Sequence, residues 1–78
     1  MSRLNPIPAK KMIKVLTRLG FEEKRIRGSH HFYFNKSTGK TTTIPVHGNE
    51  YLSMGIIKEI LKDIELAVNE YEKIRQKI

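Results

Sequence analysis

The sequence predicts an α+β fold of two layers with the element order α-β-β-β-α. Two segments with apolar residues at three- and four-residue spacing predict helices. They flank a middle segment of aromatic and threonine-rich runs separated by glycine-containing turns. Three antiparallel strands with helices gathered on one face make a two-layer domain. Because 78 residues bury only a modest core, we expect one domain over residues 1–78, with an irregular lead-in over 1–7.

The first predicted helix spans Pro8–Leu19. Proline suits the first helical position, because the N–H that it lacks would have no helical partner there. One face of this segment is apolar, whereas lysine and arginine occupy the other. The residues that define the apolar face are Ala9, Met12, Ile13, Leu16 and Leu19. Gly20 follows them and is the expected end of the helix.

Three strands are predicted next, each ending at a turn. The first, Phe21–Arg27, is polar along most of its length, which is typical of an edge strand. The second, His30–Phe34, is rich in aromatic residues, and residues 35–39 form a turn that ends in glycine. The third, Lys40–Val46, contains Pro45, which has no N–H to donate. We therefore expect this strand to end there or to be exposed on that side.

A loop, His47–Leu52, leads to a second helix for which Ser53 is the predicted N-cap. Apolar residues at helical spacing run from Met54 to Ile64 and continue to Ile78, so periodicity alone allows one long helix or two. The double-stranded-RNA-binding domain has this order of elements. A fold does not determine a function, however, so the site needs its own argument.

Charge is the first indication of a partner. The chain carries 15 basic and 8 acidic residues, a net charge of +7. Residues 1–40 hold ten basic and two acidic side chains, a net +8, whereas residues 41–78 hold five and six, a net −1. Charge that only keeps a protein soluble has no reason to concentrate in one half. We therefore expect a nucleic acid, whose phosphates bind lysine and arginine.

Composition excludes several classes of protein. The absence of cysteine excludes disulfides, thiolate catalysis and cysteine-based zinc sites. No apolar run approaches the roughly 20 residues that span a bilayer, and the first residues do not resemble a signal peptide. We therefore expect a cytoplasmic protein without a membrane partner. No metal or other cofactor is expected, because the adjacent histidines of a strand diverge and no carboxylate stands at ligand spacing.

The register of the second and third strands decides which histidine faces away from the helices. A four-residue turn over residues 36–39 pairs Asn35 with Lys40 and therefore His31 with Ile44. Ile44 must face the core, so the opposite, open face of the sheet carries His30, Phe32 and Phe34. A slip of one residue would reverse this assignment.

The residue types on this open face fit cleavage of RNA. Histidine exchanges protons near neutral pH, and RNA supplies its own nucleophile, the 2′-hydroxyl. Cations stabilise charge on the phosphate, glycine and serine allow close approach of the backbone, and an aromatic ring stacks on a base. The residues that fit these roles are Lys24, Arg25, Arg27, Gly28, Ser29, His30 and Phe32, with Phe34 as a second ring. Local sequence also allows a packing or surface role for His30 and a core role for Phe32.

Two motifs carry a family resemblance. Arg27-Gly28-Ser29-His30-His31-Phe32-Tyr33 and, after a turn, Thr43-Ile44-Pro45-Val46-His47-Gly48-Asn49 resemble the HicA (YcfA-like) toxin family. The segment from Lys14-Val15-Leu16 to Gly20-Phe21 is similar to the family's first helix and strand, and Gly55–Lys62 is similar to its second helix. The resemblance covers about residues 9–71.

The resemblance implies a fold like that of the double-stranded-RNA-binding domain. It also implies a ribosome-independent mRNA endonuclease, the toxin of a type II toxin–antitoxin system, that a HicB antitoxin neutralises. The family's catalytic histidine falls on His30, and Gly28 and Ser29 belong to the same motif. His47 matches a recurrent position that we assign to RNA binding. The family often has glycine where Glu65 stands, before a short last helix, so the resemblance favours two helices after residue 53.

Two other functions stay open at this point. The same basic face suits a non-catalytic RNA-binding module, which would retain RNA without cutting it. It also suits an interaction protein that binds another chain through its exposed sheet face and its first helix, and that would bind RNA weakly and with little dependence on salt. The toxin and partner-binding functions are compatible, because an antitoxin would cover the same site.

Overall fold

The computed structural model describes residues 4–78, and it has the predicted α+β architecture. Its elements are β1 (Ile7–Pro8), α1 (Ala9–Arg18), β2 (Glu22–Arg27), β3 (His30–Asn35), β4 (Lys40–Pro45), β5 (Tyr51–Leu52), α2 (Met54–Ile64) and α3 (Val68–Gln76). One antiparallel sheet has the strand order β2-β3-β4, and β1 and β5 form a separate pair. The order α-β-β-β-α with an additional last helix is therefore confirmed.

Helix α1 starts one residue later and ends one residue earlier than predicted, and Gly20 follows its C-cap, Leu19. Pro8 has φ −60° and ψ 144°, which is extended backbone, so it lies at the N-cap and the helix begins at Ala9. At the other end Gly20 has a φ of +97°, a conformation that glycine adopts without strain. The N–H of Phe21 then donates to the carbonyl of Leu16 over 2.9 Å, which closes the turn.

Within residues 4–78, the predicted irregular lead-in and the predicted loop after the third strand are irregular except at their last residues, where β1 and β5 form a short antiparallel pair. Ile7 lies opposite Leu52, and Pro8 lies opposite Tyr51. Ile7 and Leu52 are both buried, and so is Leu4. Two short segments that each bury an apolar side chain beside the same core are brought together, and pairing then satisfies their backbone groups. The residues of the lead-in before Leu4 lie outside the described part.

The three-stranded sheet has the predicted register. Asn35 lies opposite Lys40, and His31 lies opposite Ile44. Strand β3 extends one residue beyond its prediction, and β4 ends at Pro45, as expected for a residue without an N–H. The turn closes with a hydrogen bond of 2.7 Å from the N–H of Gly39 to the carbonyl of Asn35.

The core lies between one face of the sheet and the helices. Helix α2 packs along β4, and α1 packs against α3 and β4. Strand β2, at the other edge of the sheet, is exposed along its whole length. The side chains that are buried most completely are Met12, Val15, Leu16, Ile44, Ile57, Ile60 and Tyr71. Burial of these side chains is the main source of stability in a chain without disulfides.

The break between α2 and α3 occurs at Glu65, as the resemblance favoured. Glu65 has φ 55° and ψ 45°, the left-handed conformation that glycine adopts more readily. The N–H of Leu66 donates to the carbonyl of Leu61 over 2.9 Å. Leu66 and Val68 pack against the core, so the gain in burial offsets the left-handed backbone of a non-glycine residue, which costs about 1–2 kcal/mol.

Two buried tyrosines predict a loss of stability at alkaline pH. Burial raises the pKa of Tyr71 to about 12, and burial together with the nearby Glu23 carboxylate raises that of Tyr33 to about 12. In the unfolded chain tyrosine ionises near pH 10. Ionisation of each of these tyrosines therefore costs about 2–3 kcal/mol more in the folded protein than in the unfolded chain. We expect the free energy of unfolding to keep this contribution below pH 10 and to lose it as the pH rises towards 12.

Urea titrations between pH 7 and 12 measure this effect. In the part of the chain that the structure describes, the Tyr71 hydroxyl has no hydrogen-bond partner, so Tyr71→Phe should not reduce stability at pH 7 and should weaken the alkaline loss. Tyr51, whose side chain is 65% exposed, provides the control, because Tyr51→Phe should leave the pH profile unchanged. An identical alkaline loss in Tyr71→Phe and wild type would contradict the explanation.

Candidate nucleic-acid interface

An extra residue in β2 decides which side chains share a face with His30. The pairing of β2 with β3 is interrupted by a β-bulge between Glu23 and Arg25, so Lys24 has no partner in the register. After the bulge, Arg25 lies opposite Phe32 and Arg27 lies opposite His30. Cross-strand partners point to the same face of a sheet. A regular β2 would have turned both arginines towards the helices, so the bulge gives the open face its positive charge.

The two arginines are available to an anion. Among residues 4–78 neither Arg25 nor Arg27 forms an ion pair, and both are exposed. The Arg25 guanidinium lies 4.8 Å from the centre of the Phe32 ring, a cation–π contact that holds the arginine over the sheet. Phe32 is half-buried, so part of its ring stays accessible. Phe34 lies further along the same face, opposite Thr41.

His30 lies at the start of β3, directly after a two-residue turn. The turn consists of Gly28 and Ser29, and Gly28 has a φ of +60° that favours glycine. The Ser29 carbonyl accepts a hydrogen bond of 2.7 Å from the N–H of Val46, which fixes the turn to the end of β4. His30 is exposed, with Pro45 opposite it. A histidine in this position can reach a molecule that lies across the open face.

Beside His30 the surface forms a groove of about 440 Å³ between the sheet and α2. The sheet contributes His30, Thr43 and Pro45 to its wall. Helix α2 and its N-cap contribute Ser53, Gly55, Ile56, Glu59, Ile60 and Asp63. The Thr42 hydroxyl donates to the Asp63 carboxylate over 2.9 Å, which joins the helix to β4 below the groove. A molecule bound in this groove would lie next to the imidazole of His30.

The second histidine of the motif lies on the opposite face. The His31 Nδ1 atom is 2.8 Å from the Glu23 carboxylate, and the Tyr33 hydroxyl donates to the same oxygen over 3.2 Å. This cluster packs on the helix side of the sheet, where the register predicted His31 and Tyr33 to be. His30 and His31 therefore do not form a pair, and only His30 lines the groove.

The remaining predicted residues lie apart from the groove. The bulged Lys24 is exposed, and its Nζ atom lies 3.4 Å from the Glu22 carboxylate. His47 is exposed in the loop after β4 and does not line the groove. The described residues contain no group of three histidine, aspartate or glutamate side chains that could hold a metal ion.

Sequence reasoning missed the helical wall of the groove. Glu59 and Asp63 are four residues apart, a spacing that puts both carboxylates on one face of α2. That spacing indicates two carboxylates on one face of a helix, but it does not show against which strand the helix packs. The contact between α2 and β4 joins residues that are about 20 positions apart in sequence, as the pair of Thr42 and Asp63 shows.

Comparison with known families identifies the chain. The model of the family described as "HicA toxin of bacterial toxin-antitoxin" matches residues 9–66, most of the 78-residue chain. The protein belongs to the HicA toxin family. It is therefore the toxin of a toxin–antitoxin pair, and an antitoxin is its partner. The matched residues of this HicA toxin include the whole sheet, the turn before His30 and helix α2.

No curated protein matches this HicA chain. Of the helices in the described residues, none is long and apolar enough to cross a bilayer.

Proposed function

We propose that this toxin is an endoribonuclease that cleaves mRNA without a metal ion and uses His30 as a general acid or base. The proposal is supported by the exposed face of the sheet, on which His30 lies together with Arg25, Arg27 and Phe32. An open groove lies next to His30. The cytoplasm, where mRNA is translated, is the proposed location. The functional unit is proposed to be one domain over residues 1–78.

The proposed reaction is transphosphorylation. The 2′-oxygen of a ribose attacks the adjacent phosphorus, and the bond between phosphorus and the 5′-oxygen breaks. One group must take the proton of the 2′-hydroxyl, and another must give a proton to the leaving oxygen. Histidine serves either purpose near neutral pH, and His30 is exposed to solvent and to the groove.

The neighbours of His30 supply binding and charge stabilisation. Arg25 and Arg27, which form no ion pair within residues 4–78, are proposed to bind the phosphates on either side of the cut. The accessible part of the Phe32 ring is proposed to stack on an unpaired base. The small residues Gly28 and Ser29 are proposed to let the protein backbone approach the RNA closely, and Ser29 adds a hydroxyl. Lys24 and His47 are proposed to contact the RNA backbone further from the cut.

The antitoxin is proposed to be of the HicB type and to cover the same face. A protein that screens Arg25, Arg27 and His30 would exclude RNA by occupying its binding surface. The proposal predicts competition, because one exposed face cannot hold both partners at once.

Incubation of the purified toxin with end-labelled mRNA in excess chelator tests the proposal. We expect fragments with defined ends, because the nucleophile belongs to the RNA and His30 needs no metal. Addition of the antitoxin should stop the cleavage. Intact RNA that is nevertheless retained by the protein would indicate the alternative, a non-catalytic RNA-binding module. Strict dependence on Mg²⁺ would also contradict the proposal.

A further inference from the structure

One of the two carboxylates that line the groove with His30 has no partner among the described residues. Glu59 lies on the exposed side of α2, and it lines the groove together with His30. Within residues 4–78 its side chain takes part in no ion pair and no side-chain hydrogen bond. The structure therefore gives Glu59 no part in holding the fold together.

The other carboxylate of the groove differs in this respect. Asp63 accepts the hydrogen bond of 2.9 Å from the Thr42 hydroxyl and so ties α2 to the sheet. Helix α2 begins at the Pro45 end of β4 and runs towards Thr42, and Pro45 lies opposite His30. Glu59 precedes Asp63 by four residues, about 6 Å along the helix axis, and therefore lies closer to the Pro45 end of the groove.

We propose that Glu59 is the second catalytic group of the site, the base that takes the proton of the 2′-hydroxyl while His30 acts as the acid. This inference rests on the proposed function, because it assigns the other half of the same reaction. A glutamate is ordinarily ionised at neutral pH and accepts a proton, and a protonated histidine donates one. Strand β4 lies between β3, which carries His30, and α2, which carries Glu59, so a phosphate bound across Thr43 and Pro45 would have one of the two side chains on either side.

The step balances in atoms and charge. The proton of the 2′-hydroxyl passes to the Glu59 carboxylate as the 2′-oxygen forms its bond to phosphorus. The bond from phosphorus to the 5′-oxygen breaks, and the His30 imidazolium gives its proton to that oxygen. The products are a 2′,3′-cyclic phosphate and a free 5′-hydroxyl. Proton exchange with water restores both side chains, and no other reactant is needed.

The assignment predicts a specific pH profile. The titratable side chains that line the groove with Glu59 are His30 from β3 and Asp63 from α2, whereas β4 contributes Thr43 and Pro45. Cleavage requires Glu59 without a proton and His30 with one, so the rate should rise with pH, pass through a maximum and fall. The rising limb belongs to Glu59, and the falling limb belongs to His30.

The test is the rate of RNA cleavage as a function of pH for wild type, Glu59→Gln and Glu59→Asp. Glutamine keeps the shape of the side chain but cannot accept the proton, so we expect a loss of about 10²–10⁴-fold at the optimum and no rising limb. Aspartate keeps the carboxylate, so Glu59→Asp should retain the rising limb and more activity than Glu59→Gln. Circular dichroism at each pH shows that the variants are folded.

Glu70→Gln is the matched control, since Glu70 lies on α3, away from the groove, and the substitution changes the net charge by the same amount. Its pH profile should match that of wild type. An unchanged profile in Glu59→Gln, or a higher rate because a negative charge has been removed, would overturn the assignment while the proposed function stands. Failure of the wild type to cleave RNA at any pH would overturn both.

Discussion

Replacement of His30 by alanine is expected to reduce RNA cleavage by about 10²–10⁴-fold, which is the usual effect of losing a general acid or base. The fold should persist, because the side chain is exposed and its place in the strand is held by Arg27 and Pro45 opposite it. Induction of the variant in growing cells should not arrest growth. Binding to the antitoxin should be nearly unchanged, since most of the covered face stays intact.

The neighbouring histidine supplies a sharp control. His31 follows His30 in sequence but lies on the opposite face, where its Nδ1 atom is 2.8 Å from the Glu23 carboxylate. His31→Gln should therefore lower the free energy of unfolding by about 1 kcal/mol. The cleavage rate per folded molecule should not change. A toxic His30→Ala variant at equal expression, or an inactive but folded His31→Gln variant, would contradict the assignment.

Removal of the two arginines of the open face is expected to have the next largest effect. Each phosphate contact to single-stranded RNA contributes about 0.7 to the slope of log affinity against log salt. Arg25→Gln with Arg27→Gln should therefore reduce that slope by about 1.4 and weaken binding about 25-fold at roughly 0.1 M salt.

Fluorescence anisotropy with labelled RNA over a series of salt concentrations measures this prediction. The His30→Ala background keeps the RNA intact during the titration. Lys73→Gln with Lys77→Gln is the control of equal charge, because both lysines lie at the end of α3, away from the open face. Equal slopes for the two double variants would show that net charge alone, and not the bulged strand, binds the RNA.

The register of the sheet could be predicted because two features agree. The turn over residues 36–39 has a length that pairs Asn35 with Lys40, and Ile44 must face the core. Together they place His30 on the open face from the sequence alone. The start of α2 was equally clear, since the Ser53 hydroxyl accepts from the N–H of Ile56 as an N-cap should.

The bulge in β2 could not be predicted. The strand is exposed along its whole length, so neither face carries an apolar pattern that would reveal an extra residue. Sequence reasoning grouped Lys24, Arg25 and Arg27 as equivalent cations. The register separates Lys24, which has no partner on β3, from the two arginines that lie opposite Phe32 and His30.

Contacts between segments that are distant in sequence were the other feature that could not be predicted. The pairing of Ile7 with Leu52 depends on how two short segments meet beside the core, and neither has the length of an ordinary strand. The groove depends on which side of the sheet α2 covers, so Glu59 gave no signal of its own. The position of Glu59 in the groove depends on residues that are distant in sequence, so only the folded structure reveals it.

Two RNA strands that differ by one oxygen atom test whether the 2′-hydroxyl is the nucleophile. The cut site is first mapped, and the ribose on its 5′ side is then replaced by 2′-deoxyribose in an otherwise identical strand. We expect wild-type toxin in excess chelator to cut the normal strand there, leaving a 2′,3′-cyclic phosphate, and to leave the substituted strand whole at that position. Cleavage of both strands at the same position and at similar rates would show that the nucleophile is not the 2′-hydroxyl and would overturn the proposed reaction.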